Sequence, residues 1–448
     1  MKVLLLAAGR SKRMQPIKDK NFLKFFGKPL IQYQLEMIKK AGFKDKDVII
    51  VGGHHNLKPI GDVLAEMKMK GAAIVEQKKL ELGMCGAVLA ARKQIGSEPV
   101  LIVSSNDAVE LNAFKLIKKA GESKLADSYV LGKKVKKYFP GGYLKTDNNG
   151  FIKGVVEKPK LGTEPSDLVN IVMHVHRNPE KLFKYLEKAK SKEDDLYEVA
   201  LDNMIKDGVK VKAVKYEGFW QPIKYPWHVI KVFKQAFEVL FKTKKPAISK
   251  KAKVSKNAFI SGPVIIEDGV KIFDGACITG PVYIGKNSVI ATHALVRESH
   301  VGENCVIGFG TEVARSFLGN EVWTHTNYIG DSVIGSNVSF GAGAVTGNLR
   351  FDEKNIYVDF EGNKVDTETN KFGVIMGDNV RVGINASIMP GTKVGNGSFV
   401  GPDIIVSENV PDDSFIRGIF EVKISKNKDD AAKIDREEMK KKLGNFQF

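Results

Sequence analysis

The first thirty residues of this 448-residue chain hold its densest chemistry. An apolar run at residues 3–8 leads straight into Gly9, and the turn that follows carries Arg10, Ser11, Lys12 and Arg13. Lys18, Lys20, Lys24 and Lys28 come next, before Pro29 and the helical pattern LIQYQLEMIKKAG. A buried strand that ends in a small-residue turn aims backbone N–H groups and the next helix N-terminus at an anion. Arg13 and Lys20 add charge that could be spread over a polyphosphate. Domains without a phosphate site open in the same way, so the loop alone leaves both readings standing. Asp107 is the other early candidate, because it follows the apolar run at 100–104. An aspartate at a strand-to-helix turn serves equally well as a helix cap.

These residues need a frame that gathers strand ends. Up to about residue 245, apolar runs alternate with amphipathic helical stretches, and strands are expected at 2–7, 47–52, 72–77, 100–104, 128–135, 170–176 and 209–216. That alternation predicts a Rossmann-like α/β domain, mostly parallel, with helices on both faces and a ligand crevice at the carboxyl ends of the strands. A helical connector (226–241) and a lysine-rich linker (242–253) follow. Aliphatic residues then recur in sixes, at Ile260, Ile266, Ile272, Ile278, Ile284, Ile290 and Val296. The register slips by one at Val301, continues through Ile307 and Val313, and returns as Met376, Val382, Ile388, Val394, Val400 and Val406. A period of six fits neither a helix nor a flat strand; it predicts a hexapeptide parallel β-helix, a three-sided prism with the aliphatic residues inside. The expected division is 1–245, 246–420 and a charged, helical tail at 421–448.

Composition narrows the function. With 43% hydrophobic and 27% charged residues the chain falls in the soluble globular range. The net charge of +18 is spread along the chain without a basic, aromatic-interleaved block, so phosphorylated small molecules suit it better than nucleic acid. Cys85, Cys277 and Cys305 lie far apart without metal-ligand spacing, as expected in a reducing, cytoplasmic setting. The apolar run near the N-terminus is too short for a secretion signal, and no stretch approaches a membrane span.

The order of the motifs is more specific than any one of them. AAG, then Arg-Met, then a Lys, then GKPLI resembles the sugar-1-phosphate nucleotidyltransferase family, which reads LAAGxGTRM…PK…GKPL; Gly9, Arg13, Lys20, Gly27, Lys28 and Pro29 match. Ser11 and Lys12 stand where that family has Gly and Thr or Ser. The resemblance implies catalytic roles for Arg13 and Lys20 and a Mg²⁺ ion on Asp107, with Asn106 in place of a Gly. It assigns the nucleotide base to Gln77 and the Leu82-Gly83-Met84 turn, and the sugar and its phosphate to Glu157, Lys158 and Asn170. At FWQPIKYPWHV the family reads W-x-D-I-G-x-P with a metal-binding Asp; Trp220, Ile223 and Pro226 are kept, but Pro222 holds the Asp position.

Met376-Gly377, Val382-Gly383 and Val394-Gly395 resemble the [LIV]-G-x4 repeats of left-handed β-helix acyltransferases, which implies a homotrimer with acyl-CoA between neighbouring prisms. THTNYIGDSVIGSNVSFGAGAVTGNLRF resembles the acetyltransferase half of the bifunctional family that makes UDP-N-acetylglucosamine. By that resemblance His325 is the base, Arg297 binds the sugar phosphate, Tyr328 and Lys371 also bind the substrate, and Ala342, Asn348 and Arg417 meet acetyl-CoA. His54, His55, His174 and His176 read as structural or surface residues. Ser339 replaces an Asn, Ala314 or Arg315 a Lys, and about twenty extra residues around 350–369 read as a β-hairpin. The implied substrates are a sugar 1-phosphate, a nucleoside triphosphate (UTP) and acetyl-CoA. Two alternatives remain: a nucleotidyltransferase for another sugar whose prism only trimerises, and an acetyltransferase carrying a non-catalytic nucleotide-sugar domain.

Overall fold

The computed structural model describes residues 1–193, 195–241 and 245–428, with positions 436, 437 and 441. Lys2–Leu6 forms the centre of a nine-stranded sheet, pairing in parallel with Val48–Gly52 on one side and Val100–Ser104 on the other. Ala73–Glu76 extends the parallel half. Val3 and Leu5 pack into one apolar cluster, with the helices Leu30–Lys40 and Leu111–Glu122. Leu4 and Leu6 pack into another, with Gly83–Ala90 and Leu196–Lys206. The central strand is therefore covered on both faces, which is why its sequence is continuously apolar rather than alternating.

All seven expected strands are present, but the sheet is mixed. Leu168–His176 runs antiparallel to Val100–Ser104 and to Ser128–Lys134, and Gly142–Thr146 pairs antiparallel with Ile152–Glu157 at the edge. The links from Ser128–Lys134 through to Leu168–His176 contain no helix. Parallel neighbours need a long crossover, so these strands must return as hairpins.

The helix Trp227–Leu240 ends the first unit. Beyond it, strands of two or three residues stack into three parallel sheets of eight, nine and eight strands. Ile266, Ile278, Ile290, Val301, Val313, Val382, Val394 and Val406 all lie in one buried interior, as the six-residue period requires. Coil length explains the register slip. Ile266 pairs with Ile284, 18 positions on, whereas Ile284 pairs with Val301, 17 on, and Val313 with Ile329, 16 on. Val333 pairs with Ile375, 42 positions on, and the excess is the expected hairpin, Tyr357–Phe360 against Asn363–Asp366.

One face of the prism packs on the first unit. Tyr283, Phe317, Val333 and Ile375 share a cluster with Phe25, Phe26, Trp227 and Phe233, and the hairpin adds Ile356, Val358 and Phe360. His300 is buried there, accepting a hydrogen bond from the Phe26 N–H at 3.3 Å, and burial pushes its pKa down to about 4. Residues 421–428 have no regular secondary structure. Most of the expected tail helix falls on 429–435, 438–440 and 442–448, outside the described residues.

Candidate active sites

The strand Lys2–Leu6 delivers residues 9–13 to one wall of a cleft of about 660 Å³, whose lining includes Gly9, Arg13, Lys20, Gln77, Gly83 and Lys224. A Cβ on Gly9 would meet nothing within 4 Å, so its backbone is open to a ligand. Ser11 holds φ 53°, the left-handed region where the family's glycine would sit without strain. Below the loop, Asn56 Nδ2 donates to the Ala7 carbonyl at 2.9 Å and to Asp19 at 2.8 Å. Asn21 Nδ2 donates to the same carbonyl at 3.2 Å, and Asn21 Oδ1 accepts from Ser105 Oγ at 2.6 Å. These buried amides fix the loop from behind.

Arg13 places its guanidinium 5.8 Å from the centre of the Tyr225 ring. Lys20 Nζ donates to the Ile223 carbonyl at 3.0 Å, and burial, aided by Arg13, lowers its pKa to about 8. Asp107 is buried, accepts from Trp220 Nε1 at 3.2 Å, and has its pKa raised by desolvation against the pull of Lys224 and Lys20. Pro222 is its direct partner across the short ladder Trp220–Pro222/Asp107–Val109, so no second carboxylate faces it there. Lys224 comes two residues later. Its Nζ donates to the Pro140 carbonyl at 2.6 Å and lies 4.4 Å from the Phe139 ring centre. Its pKa is lowered to about 8 by burial, and its charge is felt by Asp107, Arg13, Glu157 and Lys158. Sequence reasoning missed Lys224; its one signal was a cation at the glycine of the W-x-D-I-G-x-P pattern.

Gln77 is buried and its amide nitrogen donates to the carbonyls of Lys79 (3.0 Å) and Gly83 (2.8 Å), so this wall is preformed. Glu157 and Asn170 meet over Gly142: a Cβ there would lie 3.0 Å from Glu157 Oε2 and 3.5 Å from Asn170 Cβ. Lys158 Nζ is 3.7 Å from the Glu157 carboxylate, whose pKa burial raises.

Behind Asn170 lies a buried side-chain chain that includes two of the histidines read as structural. Ser128 Oγ meets His176 Nδ1 at 2.9 Å, and His176 Nε2 meets Tyr197 Oη at 2.9 Å. Tyr197 Oη meets His174 Nδ1 at 2.9 Å, and His174 Nε2 meets Asn170 Oδ1 at 2.7 Å. Burial drops both histidines to a pKa of about 3, so both are neutral at physiological pH. Because Oδ1 can only accept, His174 must donate from Nε2 and accept at Nδ1; the tyrosine then donates to His174 and accepts from His176, and serine donates last. The order leaves the Asn170 NH₂ group outside this chain.

On the prism, His325 is exposed at the corner between Val322–Trp323 and Tyr328–Gly330, outside the apolar interior. Ala342 occupies the same corner one coil on, and Arg417 follows Phe415–Ile416 on the same sheet, four rungs from His325. At about 4.8 Å per rung that edge spans roughly 19 Å. At the other end of the same strands sit Arg297, Arg315, Asp331 and Asn348. Arg297 donates to Glu312 at 2.9 and 2.6 Å, and Arg315 grips Asp331 at 2.7 Å through two bonds. Asn348 Nδ2 donates to Tyr328 Oη at 3.0 Å and to Asp331 at 2.5 Å. Leu349 bridges to Lys371, which brings that lysine beside Asn348 in the fold. Of the two residues weighed for the family's lysine, Arg315 is the one that presents a cation.

The fold and clefts define a nucleotidyltransferase domain fused to a hexapeptide β-helix. Residues 2–223 match the family model described as nucleotidyl transferase, and 243–338 match the GMPPB C-terminal domain. A bifunctional sugar-1-phosphate nucleotidylyltransferase/acetyltransferase of Sulfurisphaera tokodaii is 34% identical over 428 residues, 92% of this chain and 98% of its own. A bifunctional protein GlmU of Methanocaldococcus jannaschii is 30% identical over 427 residues, covering 93% and 97% of the two chains. The chain belongs to the family of bifunctional sugar-1-phosphate nucleotidylyltransferase/acetyltransferases. No helix among the described residues is long and apolar enough to cross a membrane.

Proposed function

We propose that the protein catalyses the last two steps to UDP-N-acetylglucosamine, acetylating glucosamine 1-phosphate on the prism and transferring a uridylyl group to it in the N-terminal cleft. One observation carries the reading: Arg13, Lys20 and Lys224 line one cleft, with Lys224 close enough to feel the charge of Glu157, while His325 stands on a separate edge roughly 19 Å long by rung count. The cytoplasm is the proposed location, in keeping with three free cysteines.

In the prism the 2-amino group, once deprotonated by His325, attacks the thioester carbonyl; the C–S bond breaks and CoA leaves as its thiol. Arg297, Arg315 and Lys371 would hold the sugar phosphate at the far edge of the sheet that Tyr328–Gly330 belongs to. Ala342 and Arg417 line the edge on which an extended CoA arm fits. We propose a homotrimer, since Phe399, Ile405 and Phe415 are exposed apolar residues on the prism surface.

In the N-terminal cleft a phosphate oxygen of the sugar 1-phosphate attacks the α-phosphorus and pyrophosphate leaves. The nucleophile is already an anion, so the protein aligns the reactants and neutralises charge. Arg13, Lys20 and Lys224 supply that charge. The residues present do not fit a resident Mg²⁺ ion: Asp107 is bound to Trp220, Pro222 faces it, two ammonium groups lie near, and no cluster of three acidic, His or Cys ligands occurs among the described residues. Magnesium enters instead as part of the nucleotide substrate, which carries it on its own phosphates.

Incubation with glucosamine 1-phosphate, acetyl-CoA, UTP and Mg²⁺, with thiol and pyrophosphate assayed separately, tests the reading. Release of both is expected. Thiol alone would establish the second reading, favoured by Ser11 and Pro222, in which the cleft binds a nucleotide sugar without catalysis.

A further inference from the structure

The hairpin inserted into the prism does not project into solvent. Its strands Tyr357–Phe360 and Asn363–Asp366 are joined by Glu361-Gly362, both at positive φ (53° and 82°), the geometry of a tight two-residue turn. Ile356, Val358 and Phe360 are buried against the N-terminal unit. The Phe360 ring lies 5.6 Å from Tyr225 and 6.1 Å from Trp227, and those two stack on each other at 4.7 Å with planes 4° apart. Lys393 caps the other side of Phe360 at 4.5 Å from its ring centre. At the tip, Glu361 is part of the lining of the nucleotidyl cleft, across from the loop that carries Arg13.

Tyr225 is the ring over which the Arg13 guanidinium sits, and Arg13 forms no ion pair with a carboxylate among the described residues. A guanidinium held by its face keeps its in-plane N–H groups free for phosphate oxygens. Left unheld, a long arginine would have to lose its rotamer freedom at the moment of reaction, which lowers the rate.

We propose that this hairpin is a working wall of the nucleotidyl site: Phe360 fixes Tyr225, and Tyr225 fixes Arg13 toward the transferring phosphoryl group. Phe360 and Tyr225 are thus positioning residues for a reaction carried out by the other domain. The proposal rests on the nucleotidyl reading given above. The insert also begins just after Asn348 and returns at Lys371, so a single excursion of the chain touches both candidate sites.

The test is steady-state pyrophosphate release by the full-length chain carrying Phe360→Ala, Tyr225→Leu or both. Phe360→Ala is expected to lower kcat roughly five- to twenty-fold, with KM for the sugar phosphate within about twofold, because the lost restraint acts on a group engaged in the transition state. The double variant should be no slower than Tyr225→Leu alone, and thiol release from acetyl-CoA should stay within about twofold of the unaltered chain. Phe360→Leu, which keeps apolar volume, should recover part of kcat and guards against simple misfolding. Unchanged kcat in Phe360→Ala, or a double variant whose losses multiply, would overturn the proposal. Absence of pyrophosphate release from the unaltered chain would overturn the nucleotidyl reading instead.

Discussion

The two candidate sites prepare for an anion in opposite ways. In the N-terminal cleft two of the three cations are lysines taken out of water with no ion pair among the described residues, so Lys20 and Lys224 are both held near a pKa of 8. On the prism the cations are arginines already bonded to acids, Arg297 to Glu312 and Arg315 to Asp331. A buried, underpaired ammonium costs the folded state free energy that an arriving phosphate returns. A paired guanidinium costs less and waits in a fixed orientation. The difference lies in pairing as much as in burial: Arg315 is also sheltered, yet it keeps its carboxylate partner, whereas the two cleft lysines have none.

The contrast can be broken at its base by exchanging chemistry between the sites. His325→Ala should cut thiol release about 10²–10⁴-fold and leave pyrophosphate release intact when N-acetylglucosamine 1-phosphate is supplied as the acceptor; loss of both activities under that condition would sink the two-site picture. Lys20→Met should do the reverse, with pyrophosphate release down about 10²–10³-fold and thiol release unchanged. Asp107→Ala should also impair pyrophosphate release alone.

A milder change sharpens it. Lys224→Met should lower pyrophosphate release about tenfold or more, yet raise Tm by about 2–4 °C, since a desolvated charge is removed and the contact with Phe139 is kept. The pH response follows the same logic. Folding lowers the pKa of Lys20 and Lys224 from 10.5 to about 8, so between those values the unfolded chain binds more protons and stability rises with pH. Activity runs the other way: kcat/KM for pyrophosphate release should decline above about pH 8 as the ammonium groups discharge. A profile flat to about pH 10 would show that these lysines are not the charge that matters. The smallest expected effect is Ser11→Gly, which relieves a left-handed serine at φ 53° and should change stability by about 1 kcal/mol or less, measured by denaturant titration.

Much of the scaffold was legible because it is periodic. Residues in sixes had to line a prism, and seven apolar runs had to be strands. Antiparallel returns were less visible, since they depend on what the connections lack. Asp107 could be found because it follows a strand end within three residues, and Arg13 and Lys20 because they fall in the order of a known motif. Lys224 could not, because its importance comes from charges that only the fold brings near it, Asp107, Arg13, Glu157 and Lys158. The contact of Phe360 with Tyr225 joins positions 135 apart, and nothing local in DFEGNK announces it. His174 and His176 looked like ordinary interior residues; only Tyr197, brought over by a helix, turns them into a connected set.

That set has one direction. Every proton from Ser128 to Asn170 is assigned by the single acceptor at its end, so turning the Asn170 amide over would require each link to reverse or fall vacant inside a dry interior. The carboxamide can therefore turn only if both imidazole tautomers and both hydroxyls turn with it, so the five side chains switch as one unit or not at all.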